Sequence, residues 1–251
     1  MRDVTYPPII AACKGAFRAL GQTFQMTGTE YIPRTGGFLL AVNHISYVDF
    51  IYSGLAAQPA KRKVRFMAKR EIFDHKIAGP LMRSMHHISV DRASGDASLQ
   101  VALEYLRAGQ GVGIFPEATI SRAMELKEFK TGAVRIAAQA EVPVIPVVLW
   151  GTQRLVTKDH PRDLSRGKAI TISVGEPHRP TGADPLAETA ALKASMSQLL
   201  DHAIRTYPQH QPGAWWVPAS YGGSAPTLAQ AKVLEEAEKA RRAARKAARA
   251  K

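Results

Sequence analysis

The chain has 251 residues, 45% of them hydrophobic, a formal net charge of +13 and a single cysteine, Cys13. This is enough to bury a substantial core, and it excludes an intrachain disulfide, which fits a reducing compartment. No run reaches the roughly eighteen apolar residues that span a bilayer, and the N-terminus lacks the charged-then-apolar plan of a signal peptide, so the chain is expected not to cross a membrane.

In chain order, Pro7 to Leu20 is short, apolar and dotted with basic residues. It predicts an amphipathic helix within residues 1–21 that either lies on lipid or caps the core, since both need the same apolar face. Strands are expected near 22–28 and 37–43, the second holding Phe38-Leu39-Leu40-Ala41-Val42 and running into Asn43-His44-Ile45-Ser46-Tyr47-Val48-Asp49. With Ser46 as helix N-cap, Asp49 falls in the first turn of the next helix and folds back toward the imidazole of His44.

Two further strands are expected near 63–68 and 86–90. The adjacent His86 and His87 would point to opposite faces of the latter, with no ligand cluster beside them, and no structural zinc is expected. A helix near 94–108 precedes a strand over 111–115, which runs into Phe115-Pro116-Glu117-Ala118-Thr119-Ile120-Ser121. The glycines of Gly109-Gln110-Gly111-Val112-Gly113 lead into a strand instead of joining a strand to a helix, so they are no dinucleotide fingerprint. A helix near 127–140, strands near 143–150 and 168–175 and a helix near 186–206 complete the series.

Alternating elements of this kind imply an α/β fold with a mixed, mostly parallel central sheet flanked by helices. Both short segments then sit at the sheet edge where open α/β folds bind ligands. Residues 207–226 read as a Pro/Gly-rich connector, in which Trp215 and Trp216 pin the segment onto the domain or meet a membrane interface. Residues 227–251 read as a basic helical tail. Glu235, Glu236 and Glu238 precede Lys239, Arg241, Arg242, Arg245, Lys246 and Arg249, which suits the helix dipole but leaves little larger than Ala beyond Leu234 to pack. A solvated tail and a helix bound to anionic headgroups both fit.

His is the side chain that exchanges a proton near neutrality without a large perturbation. If Asp49 holds Nδ1–H, Nε2 is left to take a proton from an acceptor hydroxyl. That is the base-plus-orienter half of a hydrolase triad without its nucleophilic serine, so the nucleophile belongs to the substrate.

Asn-His-x-Ser-x-x-Asp followed by Phe-Pro-Glu-x-Thr-x-Ser resembles the glycerolipid acyltransferases, which acylate glycerol phosphate and its 1-acyl derivative. Ile88-Ser89-Val90-Asp91-Arg92 and Val142-Pro143-Val144-Ile145-Pro146-Val147 match two further blocks of that family in its order. The resemblance implies that residues 22–206 form the acyltransferase domain, with a glycerol-3-phosphate acyltransferase-like fold. It implies His44 as general base and Asp49 as its orienter, with acyl-CoA or acyl-carrier protein as donor and no cofactor, metal or covalent intermediate. Asn43 and Ser46 are counted with the substrate-contacting residues. Arg92 matches the position that holds the acceptor's phosphate, for which a guanidinium is well shaped, and Glu117 would bind glycerol hydroxyls or hold the loop. Thr119 or a backbone amide would stabilise the tetrahedral oxyanion.

Two departures stand out: Ala118 replaces the commoner Gly, and Ile120 replaces an Arg that would bind phosphate. Arg122 or Lys130 is expected to supply the missing charge. The expected reaction is acyl transfer to 1-acyl-sn-glycerol 3-phosphate, giving phosphatidic acid at the inner face of the cell membrane, by a peripheral cytoplasmic protein. Its expected partners are the thioester donor, the lysophospholipid acceptor and an anionic membrane surface, with no nucleic acid. Two alternatives stay open: a different lysophospholipid or glycolipid acceptor, and a catalytically silent membrane-binding protein on the same scaffold.

Overall fold

A computed structural model describes residues 3–91 and 95–249. A seven-stranded sheet has the order β1-β7-β6-β2-β5-β3-β4. The strands are β1 (Thr23–Thr27), β2 (Phe38–Val42), β3 (Val64–Lys69), β4 (Ile88–Val90), β5 (Gly111–Ile114), β6 (Val144–Trp150) and β7 (Ala169–Val174). Every pairing is parallel except that of β6 with β7, as the sequence pattern predicts.

The apolar runs of β2, β6 and β7 are buried along their whole length, because helices cover both faces of the sheet. Leu39, Ala41, Val148 and Trp150 face one core layer, shared with α5 (Gly95–Arg107), α6 (Gly132–Ala140) and α7 (Pro185–Arg205). Phe38, Leu40, Val42 and Ile170 face the other, together with Phe17 of α1 (Tyr6–Ala19) and Tyr52 of α2 (Asp49–Ala56). The N-terminal helix therefore caps the second core layer, with the Phe17 and Tyr52 rings 4.9 Å apart.

Several local expectations are corrected. The helix expected from 127 starts at Gly132, because the Lys127 and Lys130 amides bond back to the Glu117 carboxylate and the Pro116 carbonyl instead of starting a helical ladder. The strand expected from 86 starts at Ile88. His86 has a left-handed backbone (φ 57°), and the His87 ring Nδ1 accepts the Phe66 amide at 2.9 Å. Val48, not Ser46, stands at the N-cap of α2. Between β3 and β4 lie two short helices that no apolar periodicity announces, α3 (Arg70–Phe73) and α4 (Ala78–Ser84). Gly79 permits their close packing, since a Cβ there would sit 2.0 Å from the Phe73 carbonyl oxygen.

The connector is anchored: Trp216 is buried against Trp150 and Tyr207, and Trp215 stacks on His160 at 3.6 Å. Beyond it, α8 (Leu228–Arg249) is docked in its first half by ion pairs, where a solvated tail was one expectation. No helix among the described residues is long and apolar enough to cross a membrane.

Candidate active site

β2 and β5 are neighbouring parallel strands, with Ala41 opposite Ile114, so the loops that follow them leave the same sheet edge side by side. The two loops are tied together directly. Glu117 Oε1 accepts the His44 amide at 2.8 Å and Oε2 accepts the Lys127 amide at 3.0 Å, while the Ser121 amide donates to the His44 carbonyl at 2.7 Å. Burial pushes the Glu117 carboxyl up to about 7, against the pull of these two amides and of Lys127. Both of its oxygens hold backbone, so its geometry is that of a loop clamp.

His44 Nδ1 lies 3.0 Å from Asp49 Oδ2. The same oxygen accepts the Ile45 and Ser46 amides at 2.8 and 2.7 Å, and Oδ1 accepts the Thr152 hydroxyl at 2.7 Å. A carboxylate surrounded by donors fixes the imidazole tautomer: Nδ1 donates and Nε2 is left without its proton. The ring is further fixed from one face by Phe115, with centroids 4.1 Å apart and planes at 23°. Asp49 is fully buried whereas the His44 side chain keeps 19% exposure, so the orienter is sheltered and the imidazole is reachable.

Asn43 and Ser46, read as substrate contacts, are both fully buried and engaged inside the fold. Asn43 exchanges two hydrogen bonds with the backbone of Leu149 at 3.0 and 2.7 Å, extending the β2–β6 pairing by a side chain. Ser46 donates to the Val156 carbonyl at 2.6 Å and accepts the Val48 amide at 3.3 Å. Both position the His44 loop. Arg92 lies outside the described residues. Lys130 is exposed at the start of the α6 approach.

Ile120 is buried at 3% exposure. Arg122 brings a positive charge two positions later. Its side chain is only 6% exposed and pairs with Asp159 and, at 2.9 Å, with Glu238, while its Nη1 has no partner. Lys127 donates to Thr119 Oγ1 and to Glu235 Oε1, each at 2.6 Å, and Lys158 reaches Glu238 at 3.4 Å. Thr119 thus keeps its own proton to donate. Partial burial works against the charge of Glu238, but Arg122, Lys158 and Arg242 overcome it and hold the carboxyl well below the usual range. Burial, then the carboxylates of Glu238 and Asp159, push up the hydroxyl of Tyr47, and Ser121, next to Arg122, donates its amide to the His44 carbonyl at 2.7 Å, which places this cluster beside the His44 loop.

Phe115, Thr152, Lys127 and Lys158 were not singled out from sequence. Thr152 follows β6 in a short turn whose Arg154 turns away to Tyr207 at 2.9 Å and lies over the Trp216 ring at 4.6 Å. Ala118 carries a left-handed backbone, φ 61°, a conformation glycine adopts without a Cβ penalty.

Residues 23–150, half of the chain, match the acyltransferase family. A 1-acyl-sn-glycerol-3-phosphate acyltransferase of Bacillus subtilis is 30% identical over 178 residues, covering 68% of this chain and 84% of that protein. A protein of the same name from Chlamydomonas reinhardtii is 34% identical over 176 residues, 67% of this chain, which spans about half (52%) of that longer relative. The crystal structure of PlsC, the 1-acyl-sn-glycerophosphate acyltransferase of Thermotoga maritima, superposes with a TM-score of 0.66 at 25% identity over 80% of each chain. The chain belongs to the acyltransferase family and is an O-acyltransferase.

Proposed function

We propose that the protein transfers a fatty acyl group from a thioester, acyl-CoA or acyl-carrier protein, to the free hydroxyl of 1-acyl-sn-glycerol 3-phosphate, working at an anionic membrane face. The observation that carries this reading is the His44–Asp49 pair, whose carboxylate is held by three further donors. His44 Nε2 takes the proton of the acceptor hydroxyl as its oxygen attacks the thioester carbonyl. The tetrahedral oxyanion is met by the Thr119 hydroxyl, and collapse forms the ester and expels the thiolate, which receives the proton from the imidazolium. Asp49 stabilises the cation that forms in between.

Arg122, with Lys127 and Lys158 nearby, receives the acceptor's phosphate in place of a cation at Ile120. The acyl chain is taken up by an apolar cleft beyond the rings that back His44. Rings run from His44 through Phe115 and Phe66, 6.0 Å apart, to Phe50, 6.2 Å further. Phe50 and Phe66 line an apolar cleft under α1 with Ile9, Ile10, Ile51 and Leu55.

The test is thiol release from acyl-CoA and from acyl-carrier protein by wild type and Arg122→Gln, with lysophosphatidic acid, glycerol 3-phosphate, lysophosphatidylcholine or a mannosyl lipid as acceptor. Preference for lysophosphatidic acid, with KM for it raised at least tenfold in Arg122→Gln, supports the reading. Turnover with the mannosyl lipid alone would replace it with a glycolipid acceptor.

A further inference from the structure

The proposed reaction makes no use of the pairing between α8 and the loop cations. After Lys232, charge is divided along that helix: Glu235, Glu236 and Glu238 precede Lys239, Arg241 and Arg242, and the sequence continues with Arg245, Lys246 and Arg249. Glu235 and Glu238 are three positions apart and so share one face. They are the acids turned inward, with side chains 14% and 22% exposed, whereas Glu236 is exposed.

The loop partners they meet are Lys127, Arg122 and Lys158, and Glu238 also pairs with Arg242 of its own helix. A carboxylate and a phosphate monoester present the same kind of oxygen to a guanidinium and compete for it. The side chain of Arg122 is buried and still has an unpartnered Nη1, so its donors outnumber what the present acids use.

The hold on α8 is weak by construction. Its buried apolar contact is Ala231, while Val233 and Leu234 are 65% and 40% exposed, and largely buried ion pairs contribute only what their attraction leaves after both ions are desolvated. An element docked by charge with little apolar burial opens at low cost. The basic half that follows is suited to the headgroups of an anionic bilayer.

We infer that α8 is a displaceable internal competitor: Glu235 and Glu238 occupy the cations of the acceptor's phosphate site until an anionic bilayer draws the basic half of the helix away. This rests on the reading that Arg122 and its neighbours receive that phosphate. A protein whose binding-competent state is only partly populated shows a correspondingly weaker apparent affinity, which makes the latch measurable.

The experiment uses the full-length enzyme, acyl-CoA and a short-chain 1-acyl-glycerol 3-phosphate kept monomeric. Wild type is compared with E235Q/E238Q and with Arg122→Gln. Without vesicles, the double variant is expected to show a KM for the acceptor roughly three- to tenfold lower than wild type, and Arg122→Gln a higher one. Hydrogen exchange over residues 228–241 in wild type is expected to speed up with phosphatidylglycerol vesicles and not with phosphatidylcholine vesicles. If Arg122→Gln raises KM but the double variant does not lower it, the competitor role fails alone. If Arg122→Gln leaves KM unchanged, the phosphate reading fails and takes the inference with it. Exchange unaffected by phosphatidylglycerol, or matched by inorganic phosphate alone, overturns the bilayer as the releasing partner.

Discussion

Thr152, at the far end of β6, donates its hydroxyl to Oδ1 of Asp49 at 2.7 Å, and both residues are fully buried. The orienter of the imidazole is thus itself oriented by a residue 103 positions away in sequence. Thr152→Val keeps the shape and leaves a buried carboxylate oxygen without its donor, at a cost of about 1–3 kcal/mol. The expected result is a fall in kcat of roughly tenfold or more with little change in KM, and recovery in Thr152→Ser. Equal kcat in Thr152→Val and wild type would remove the residue from the account.

Ala118 sits at φ 61° in the loop that carries Glu117 and Thr119. A left-handed conformation costs a residue with a Cβ about 1–2 kcal/mol, and the extra chain entropy of glycine offsets roughly half of that. Ala118→Gly is therefore expected to stabilise the fold by about 0.5–1 kcal/mol in urea unfolding, with kcat within about twofold of wild type. A loss of stability would show that the alanine methyl makes a contact worth more than the strain.

Gly54 lines the apolar cleft from α2, and a Cβ built on it meets nothing within 4 Å. Gly54→Leu would fill that space and, as a helix substitution, gain up to about 1 kcal/mol of propensity. Activity with long acyl donors is expected to fall at least fivefold relative to short ones, measured as the ratio of kcat/KM for C16 and C8 thioesters. An unchanged ratio would place the acyl chain elsewhere.

His87 is buried against Phe66 and beside Arg65, and desolvation first, then that guanidinium, lowers its pKa to about 4. Between about 4 and the ordinary 6.5 the unfolded chain binds the proton and the folded one does not, so this residue's contribution to stability is lost as pH falls through that window. The stability of wild type minus that of His87→Gln should therefore drop by up to about 3 kcal/mol between pH 7 and pH 4. Glu117 acts with the opposite sign. Its pKa is raised to about 7, so the folded state holds the extra proton and gains stability as pH falls from about 7 toward the ordinary carboxylate range. A difference curve for His87→Gln that is flat with pH would contradict the assignment.

All seven strands were legible in the sequence, β2, β6 and β7 most plainly, because they are continuous apolar runs buried along their length. So was the His44–Asp49 pair, since one loop and one helical turn fix their spacing. What sequence could not show was set by long-range contacts. Asn43 and Ser46 look like site residues because they flank His44, but the strand and turn they bond to lie beyond residue 140. Thr152 is one small polar residue among many until β6 brings it to Asp49. The tail illustrates the same limit: its low apolar content correctly signals little packing, but the cations that dock Glu235 and Glu238 come from loops far upstream.

In the proposed mechanism His44 activates a substrate hydroxyl with no nucleophile from the protein. The most direct measurement is single-turnover acyl transfer from labelled acyl-CoA to 1-acyl-sn-glycerol 3-phosphate by wild type and His44→Ala, with the product identified by mass and folding checked by circular dichroism. Phosphatidic acid is expected from wild type, with a rate lower by about two to four orders of magnitude in folded His44→Ala and no acylated protein in either. Transfer by His44→Ala within tenfold of wild type, or an acyl-enzyme that forms before product, would contradict it.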